Sequence, residues 1–333
     1  MAPNAILIAI GRTAAMFVLL AIVLLGCNGE VESIGEEISS TALSTDYGGW
    51  SRTTAIEELY QSAKSEGGVV YYASNQQSAL AYKLAFEKEF PGIEVDVRGF
   101  LTESLSSTYL AERANSRKSA DVLGGSLMAL HPIVERDLIQ TGIDWTQIGV
   151  EGGRITLEGK ALMVRRGSYC ICFNQSKIDE QEIPTTLDGF RDPKWKDRLV
   201  ASDFLFPAGL GYYALQNGLD NAVDLGRYLI DHQGLLVTSQ YQSLVVSGER
   251  PVAVLGWAPS FINEERRGNP MGITHADGLG VPLFVVAVSD RAPHPHAAKL
   301  FAAFLTSKQA SLASWESDAA SGWPGYGHGL GDL

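Results

Sequence analysis

The chain reads as an α/β protein of two lobes, in which sheets are flanked by helices. Two observations carry this reading. Short strands of the buried type alternate with helical stretches of roughly 10–15 residues, the pattern that builds βαβ units and a parallel sheet. The folded body, about 280 residues, is also too long for one such sheet, so it divides. No internal repeat is visible along the 333 residues.

Taken in order, the body starts near Thr54. Thr54 with Glu57 makes a capping-box pattern, and Ile56, Leu59, Tyr60 and Ala63 follow at helical spacing. Gly67-Gly68 stops that helix, and Val69–Ala73 is a buried-type strand. Tyr82, Phe86 and Phe90 mark a second helix, ended by Pro91. Ile93–Val97 alternates as a strand, and residues 103–116 read as a helix. Ala120–Leu123 is a short strand running into Gly124-Gly125-Ser126. The second lobe begins near Tyr169–Asn174, with strands near Leu199–Ser202, Leu235–Thr238 and Pro251–Gly256. A strand at Val281–Val288 follows. Ala298, Phe301, Ala302 and Leu305 then recur at helical spacing. The expected division is 54–165 plus 280–312 for lobe 1, 166–279 for lobe 2 with the hinge crossings, and a C-terminal tail at 313–333.

The N-terminal end is of a different kind. Residues 1–26 hold one charged side chain, Arg12, and Thr13–Gly26 is wholly apolar or small. That run fits a signal-peptide core and is short of the roughly 20 residues a membrane span needs. It ends in Leu24-Leu25-Gly26-Cys27, which resembles a bacterial lipobox, so residues 1–26 are expected to be a lipoprotein signal peptide with lipid on Cys27. The alternative is a transmembrane anchor with an incidental cysteine. Residues 27–53 read as a flexible tether: Glu30, Glu32, Glu36, Glu37 and Asp46 sit among Ser, Thr and Gly.

Removing residues 1–26 takes Arg12 from the 26 basic residues and none from the 38 acidic ones, leaving a net charge of −13. Such a chain is a poor nucleic-acid binder, which needs clustered Lys and Arg. An anionic solute stays open, because a binding site has its own local field. With Cys27 lipidated, Cys170 and Cys172 are the remaining cysteines. On a strand they share a face, a bridge between them would be strained, and both read as small buried hydrophobes; a reactive or metal-binding pair is the alternative.

Six stretches, in order, resemble type II periplasmic solute-binding proteins of ABC transporters, of the iron(III)-type substrate-binding branch. They are Ala63–Ser74, Phe86–Ile93, Ala120–Leu123, Phe190–Asp197 (the "DPKWKG" turn), Ser247–Pro251 ("GE-x-P") and Ala292–Phe301 ("HPNAAKLF"). The likeness runs from about Ala55 to about Leu312. It implies mixed sheets flanked by helices, two lobes joined by crossing strands, a ligand cleft between them and hinge closure. One departure stands out. Ferric members carry adjacent tyrosines just after the strand that follows "GE-x-P"; this chain has Trp257-Ala258-Pro259 there. Tyr212-Tyr213 is a tyrosine pair in another element, and adjacent helical residues do not share a face.

Candidate ligand-binding residues lie at strand-to-helix junctions, where hydroxyls, amides and helix dipoles meet anions. They are Ser74 and Asn75; Thr102 and Glu103; Gly125 and Ser126, preceded by Gly124; Ser202 and Asp203; Gly209 and Tyr212; and Trp257, which has the alternative of a core aromatic. Plain helix capping is the alternative for the polar residues, and Glu103 also suits an ammonium group. Arg165 and Arg166 fall on opposite faces of a strand, so one at most points inward. His294 and His296 read as structural.

Gly-x-Ser-x-Gly, His-Glu-x-x-His and Walker A motifs are missing from the sequence, so the expectation is no enzyme, no cofactor and no bound metal. The reading is a monomeric receptor for a small polar or anionic solute, such as a phosphonate, phosphorylated metabolite or carboxylate. It serves an ABC permease and ATPase from the bacterial cell envelope, held to the membrane through Cys27, with no nucleic-acid partner. The alternatives are ferric-iron transport with non-standard ligands, a surface hydrolase or transferase, and a sensor built on the same lobes.

Overall fold

The computed structural model describes residues 53–317 except 116, 118, 168 and 275–281. Cys27, the expected signal peptide and nearly all of the tether lie outside the described residues. Among the described residues no helix is long and apolar enough to cross a membrane.

The chain opens with α1 (Thr54–Glu66), β1 (Gly68–Ala73), α2 (Gln76–Glu89), β2 (Glu94–Gly99), α3 (Thr102–Ala114), β3 (Val122–Ser126), α4 (Leu127–Val134), β4 (Ile155–Thr156) and β5 (Ala161–Arg166). It continues through β6 (Tyr169–Asn174), β7 (Leu199–Ala201), α5 (Leu205–Asn217), α6 (Leu219–Asp231), β8 (Leu236–Val237), α7 (Tyr241–Ser247), β9 (Val252–Trp257), α8 (Ala258–Arg266) and β10 (Met271–Thr274). It ends with β11 (Leu283–Val288), α9 (Pro295–Phe304) and α10 (Lys308–Ser317). Two compact units result. One runs up to Gly167 and resumes at Pro282; the other lies between them in sequence.

The first unit holds a six-stranded sheet in the order β2-β1-β3-β11-β5-β4. β1 pairs parallel with β2 and β3, while β11 runs antiparallel to both β3 and β5. The sheet is therefore mixed, and the last described strand lies inside it. Alternation along β1 feeds two cores. Val69, Tyr71 and Ala73 pack with Phe86, Phe90, Phe301 and Phe304. Tyr72 packs on the other face with Leu105, Tyr109 and Leu123, so the sheet is covered on both sides. Gly167 N–H donates to the Pro282 carbonyl at 2.7 Å, tying together the two places where the chain leaves and rejoins this unit.

The cap of α1 differs from the capping box expected at Thr54. Thr53 Oγ1 accepts from Ile56 N–H at 3.3 Å, and Thr54 is the first helical residue. Adjacent threonines offer the same hydroxyl, so pattern alone leaves the boundary one residue uncertain.

Both histidines of the closing motif have structural partners. Fully buried Asp121 accepts from the N–H of Val70 and of His294, and pairs with His294 Nδ1 at 2.8 Å. Glu66, at the end of α1, caps α9: its carboxylate accepts from the N–H of His296 at 3.0 Å and of Ala297 at 2.8 Å, and meets His296 Nδ1 at 2.7 Å. Burial pushes the Glu66 carboxyl upward, but the Ala297 N–H and the His296 contacts outweigh it and hold the pKa below its ordinary value. A depressed folded pKa gives stability that is present above the unfolded value and lost as pH falls through the folded one. Glu66→Gln is therefore expected to cost about 1 kcal/mol near neutrality. The difference from wild type should shrink in acid, read by urea unfolding at two pH values.

The second unit holds a five-stranded sheet in the order β10-β6-β9-β7-β8. β6 pairs antiparallel with β9 and β10, and β7 pairs parallel with β8 and β9. The "DPKWKG"-like turn is part of its core. Trp195 is fully buried, its ring 5.3 Å from that of Phe190, and Gln233 Nε2 donates to the carbonyls of Arg191 and Asp192.

Candidate functional site

In the first unit a small cavity opens where β1, β3 and β5 end and β11 begins. Ser74 and Asn75 follow β1, Gly124 and Gly125 come from the end of β3, Val164 and Arg165 from β5, and Phe284 and Val285 from β11. Tyr71, Ser78 and Tyr82 complete the lining. Its volume of about 20 Å³ suits one water-sized group. The position, outside the carboxyl ends of strands, is where open α/β sheets bind ligands.

Each lining residue is placed by its local sequence. Asn75 caps α2, its Oδ1 accepting from Ser78 N–H at 3.0 Å. Ser74 N–H donates to the Gly124 carbonyl at 2.9 Å, holding the ends of β1 and β3 together. A side chain on Gly124 would collide with the Tyr71 hydroxyl, and a Cβ on Gly125 would lie 3.2 Å from Ser74 Oγ. The glycine pair thus lets both hydroxyls approach the strand.

Of the two arginines that alternate on β5, Arg165 is the one turned to the cavity. It is 5% exposed, with its guanidinium 4.0 Å from the centre of the Phe284 ring. Burial drives the Tyr71 phenol well above its ordinary pKa, with Tyr82 adding to the shift and Arg165 opposing it, so Tyr71 stays a neutral hydroxyl. Arg165 is the charged residue among the described residues of the lining, which include no carboxylate.

The remaining candidates of this unit stand apart. Ser126 caps α4, its Oγ accepting from Ala129 N–H at 3.2 Å. Thr102 and Glu103 lie in the first turn of α3; their side chains are outside the described residues.

In the second unit Ser202 is buried, and its Oγ accepts from the N–H groups of Phe204 and Leu205, both at 3.2 Å, at the start of α5. Asp203 beside it is exposed. Gly209 is buried on α5, where a Cβ would come within 2.6 Å of a Leu255 methyl, so it serves close packing.

Tyr212 and Trp257 gather around a residue that motif reading passed over, Tyr169. The Tyr169 ring lies 5.8 Å from that of Tyr212 and 6.1 Å from that of Trp257. A β-bulge makes this possible. The β6–β9 register skips between Cys170 and Cys172, and Leu255 takes a left-handed φ of 61°. With the extra residue, Trp257 sits opposite Tyr169; without it, the alternation would turn Trp257 to the other face of the sheet. Burial raises the phenol pKa of both Tyr169 and Tyr212. Among the described residues no group of three or more His, Cys, Asp and Glu side chains is placed to hold a metal ion.

With this geometry in hand, the chain can be compared with known proteins. Solved structures match it closely in fold. Iron-bound HitA from Pseudomonas aeruginosa is 22% identical, with 76% of this chain and 85% of that one covered at a TM-score of 0.66. AfuA from Actinobacillus pleuropneumoniae, solved with fructose-6-phosphate, is 21% identical, with 75% and 82% covered at a TM-score of 0.61. The ferric binding protein from Campylobacter jejuni is 16% identical, with 76% and 86% covered at a TM-score of 0.63. The fold is that of the two-lobed periplasmic binding proteins. No curated protein matches the sequence. A family model described as bacterial extracellular solute-binding protein matches residues 128–319, more than half of the chain. The chain belongs to the bacterial extracellular solute-binding protein family.

Proposed function

We propose that this chain is the lipid-anchored receptor of an ABC importer and that it captures a small solute bearing a phosphoryl or carboxylate group. The observation that carries the reading is the buried guanidinium of Arg165 sharing one cavity with Ser74, Asn75 and the Gly124-Gly125 backbone. A buried arginine beside hydroxyls and a helix start suits the planar, charge-assisted recognition of such anions. At about 20 Å³ the cavity takes in one water-sized group, such as a single oxygen of the anion. Within the second unit, Tyr169, Tyr212 and Trp257 form an aromatic cluster of their own. AfuA, crystallised with a sugar phosphate, is a precedent for such cargo on this fold.

In this reading the chain acts in the bacterial cell envelope as a monomer, carries lipid on Cys27, delivers its solute to a permease and ATPase, and performs no chemistry. Ser202 and Gly209 act through capping and packing. Thr102, Glu103, Ser126 and Asp203 remain peripheral candidates for solute contact.

A second reading, ferric iron, draws on the Tyr169–Tyr212 proximity and on iron-bound HitA. The sequence opposes it, since Trp257-Ala258-Pro259 stands where the resembling ferric proteins carry adjacent tyrosines.

Mass spectrometry of detergent-solubilised full-length protein tests the proposal. It should show acylated Cys27 at the new N-terminus and, under native conditions, a retained organic or phosphorus-containing solute. Sugar phosphates, phosphonates or dicarboxylates should raise the melting temperature, since a hundredfold excess over Kd adds about 2.7 kcal/mol. Ferric citrate should leave the protein colourless. A coloured complex abolished by Tyr212→Phe would establish iron instead, and an unacylated mature chain would remove the lipid anchor.

A further inference from the structure

We propose that Cys170 and Cys172 form a reversible disulfide across a single residue of β6, and that its state sets the position of Trp257. Their sulfurs are 2.7 Å apart, and both residues are fully buried. They are free thiols in this structure. Two sulfurs bound to one tetrahedral metal ion at ~2.3 Å each would stand about 3.8 Å apart. The observed spacing is too short for that and close to the roughly 2.05 Å of a sulfur–sulfur bond.

The surroundings explain how residues two apart on a strand can converge. β6 and β9 lose register between these cysteines, and Leu255 on β9 stands in the left-handed region. Gly256, opposite Cys170, leaves the room: a Cβ there would lie 2.8 Å from Cys172 Sγ. Cys170 Sγ is 3.6 Å from the Gly256 carbonyl. The next pair along the ladder is Tyr169 and Trp257. Closing the bond pulls β6 inward beside the bulge that aims Trp257.

The chemistry balances with an external disulfide as oxidant, a class present in an oxidising envelope. One cysteine thiolate attacks the oxidant, forming a mixed disulfide and expelling a thiolate. The other cysteine attacks that bond, closing Cys170–Cys172 and expelling the second thiolate. Both protons end on the released thiols, and two electrons reach the oxidant. Burial, with Cys170 adding to it, raises the Cys172 thiol pKa, so the folded pair exchanges slowly and closure belongs to folding after export. A strand places residues two apart roughly 6.6 Å from each other, near the limit for a bridge. The bond is thereby strained, so excess dithiol opens it at equilibrium although the buried pair exchanges slowly.

The test uses the full chain purified from the envelope. Thiols are alkylated under denaturing conditions, before or after reduction, and the chain is cut with trypsin. Cleavage after Arg166 and Lys177 leaves both cysteines on one peptide. The expected result is no alkyl group before reduction and two after it. Two alkyl groups before reduction, or an external thiol on one sulfur, overturn the proposal. On folded protein, dithiothreitol should change tryptophan emission, and Trp257→Phe or Cys170→Ser should abolish the change. Unchanged emission while the bond opens overturns the coupling to Trp257. If Cys170→Ser fails to fold, the peptide mass and Trp257→Phe still decide.

Discussion

Phe86→Ala is expected to destabilise the protein by about 3–5 kcal/mol, the range for removing a buried aromatic ring and leaving a cavity. Phe86 is fully buried on α2. Its ring lies 5.1 Å from that of Phe90, 5.0 Å from Phe301 and 5.4 Å from Phe304. These contacts join α2 to α9, whose sequence positions are more than two hundred residues apart. Little can collapse into the space, because the neighbours are bulky rings, Phe301 and Phe304 held edge to face. The start of α2 carries Asn75 and Ser78 into the candidate site, so solute binding should weaken along with stability. Urea unfolding should show a lower midpoint at an unchanged slope, and Phe86→Leu should recover part of the loss. A Phe86→Ala midpoint within error of wild type would contradict this account of the core.

The second large effect concerns the solute. Arg165→Ala is expected to weaken binding of a phosphoryl or carboxylate solute by about a hundredfold, close to 3 kcal/mol. Arg165→Lys should recover only part, because an ammonium keeps the charge but lacks the planar fork. The guanidinium also packs on Phe284, so some stability will be lost. Calorimetric titration at a temperature well below each melting point separates the two. Undiminished affinity in Arg165→Ala would move the site away from this cavity. Arg166, on the opposite strand face, is the control: Arg166→Ala should bind as wild type does.

Local pattern made much of the fold legible. Residues of α1, α2 and β2 alternate or recur with the period of the element they form, because one burial direction repeats along each of them, while β1 shows as a short apolar run. Junction residues such as Ser74 and Asn75 were recognisable because strand ends before helices concentrate donors. The glycine pair at the end of β3 was recognisable for the same local reason, a backbone that something must approach. The mixed character of the first sheet was not legible from the alternation of elements. β11 enters between β3 and β5 in the antiparallel sense, and its apolar run would satisfy either direction.

By itself, then, the sequence determined the α/β class, the order of the main elements, the junctions that carry polar groups and the acidic balance of the chain. Tertiary structure alone decided which arginine of β5 turns inward, that Tyr71 rather than Tyr72 meets it, and that Tyr169 joins Tyr212 and Trp257. The reason is physical. Alternation states that neighbouring strand residues face opposite ways, but both faces of this sheet are buried, so polarity does not tell one from the other. The face that receives Trp257 depends on one inserted residue at Leu255, a non-glycine with positive φ. No local preference favours that conformation; the packing of Leu255 against Gly209 and the pairing of β6 with β9 impose it.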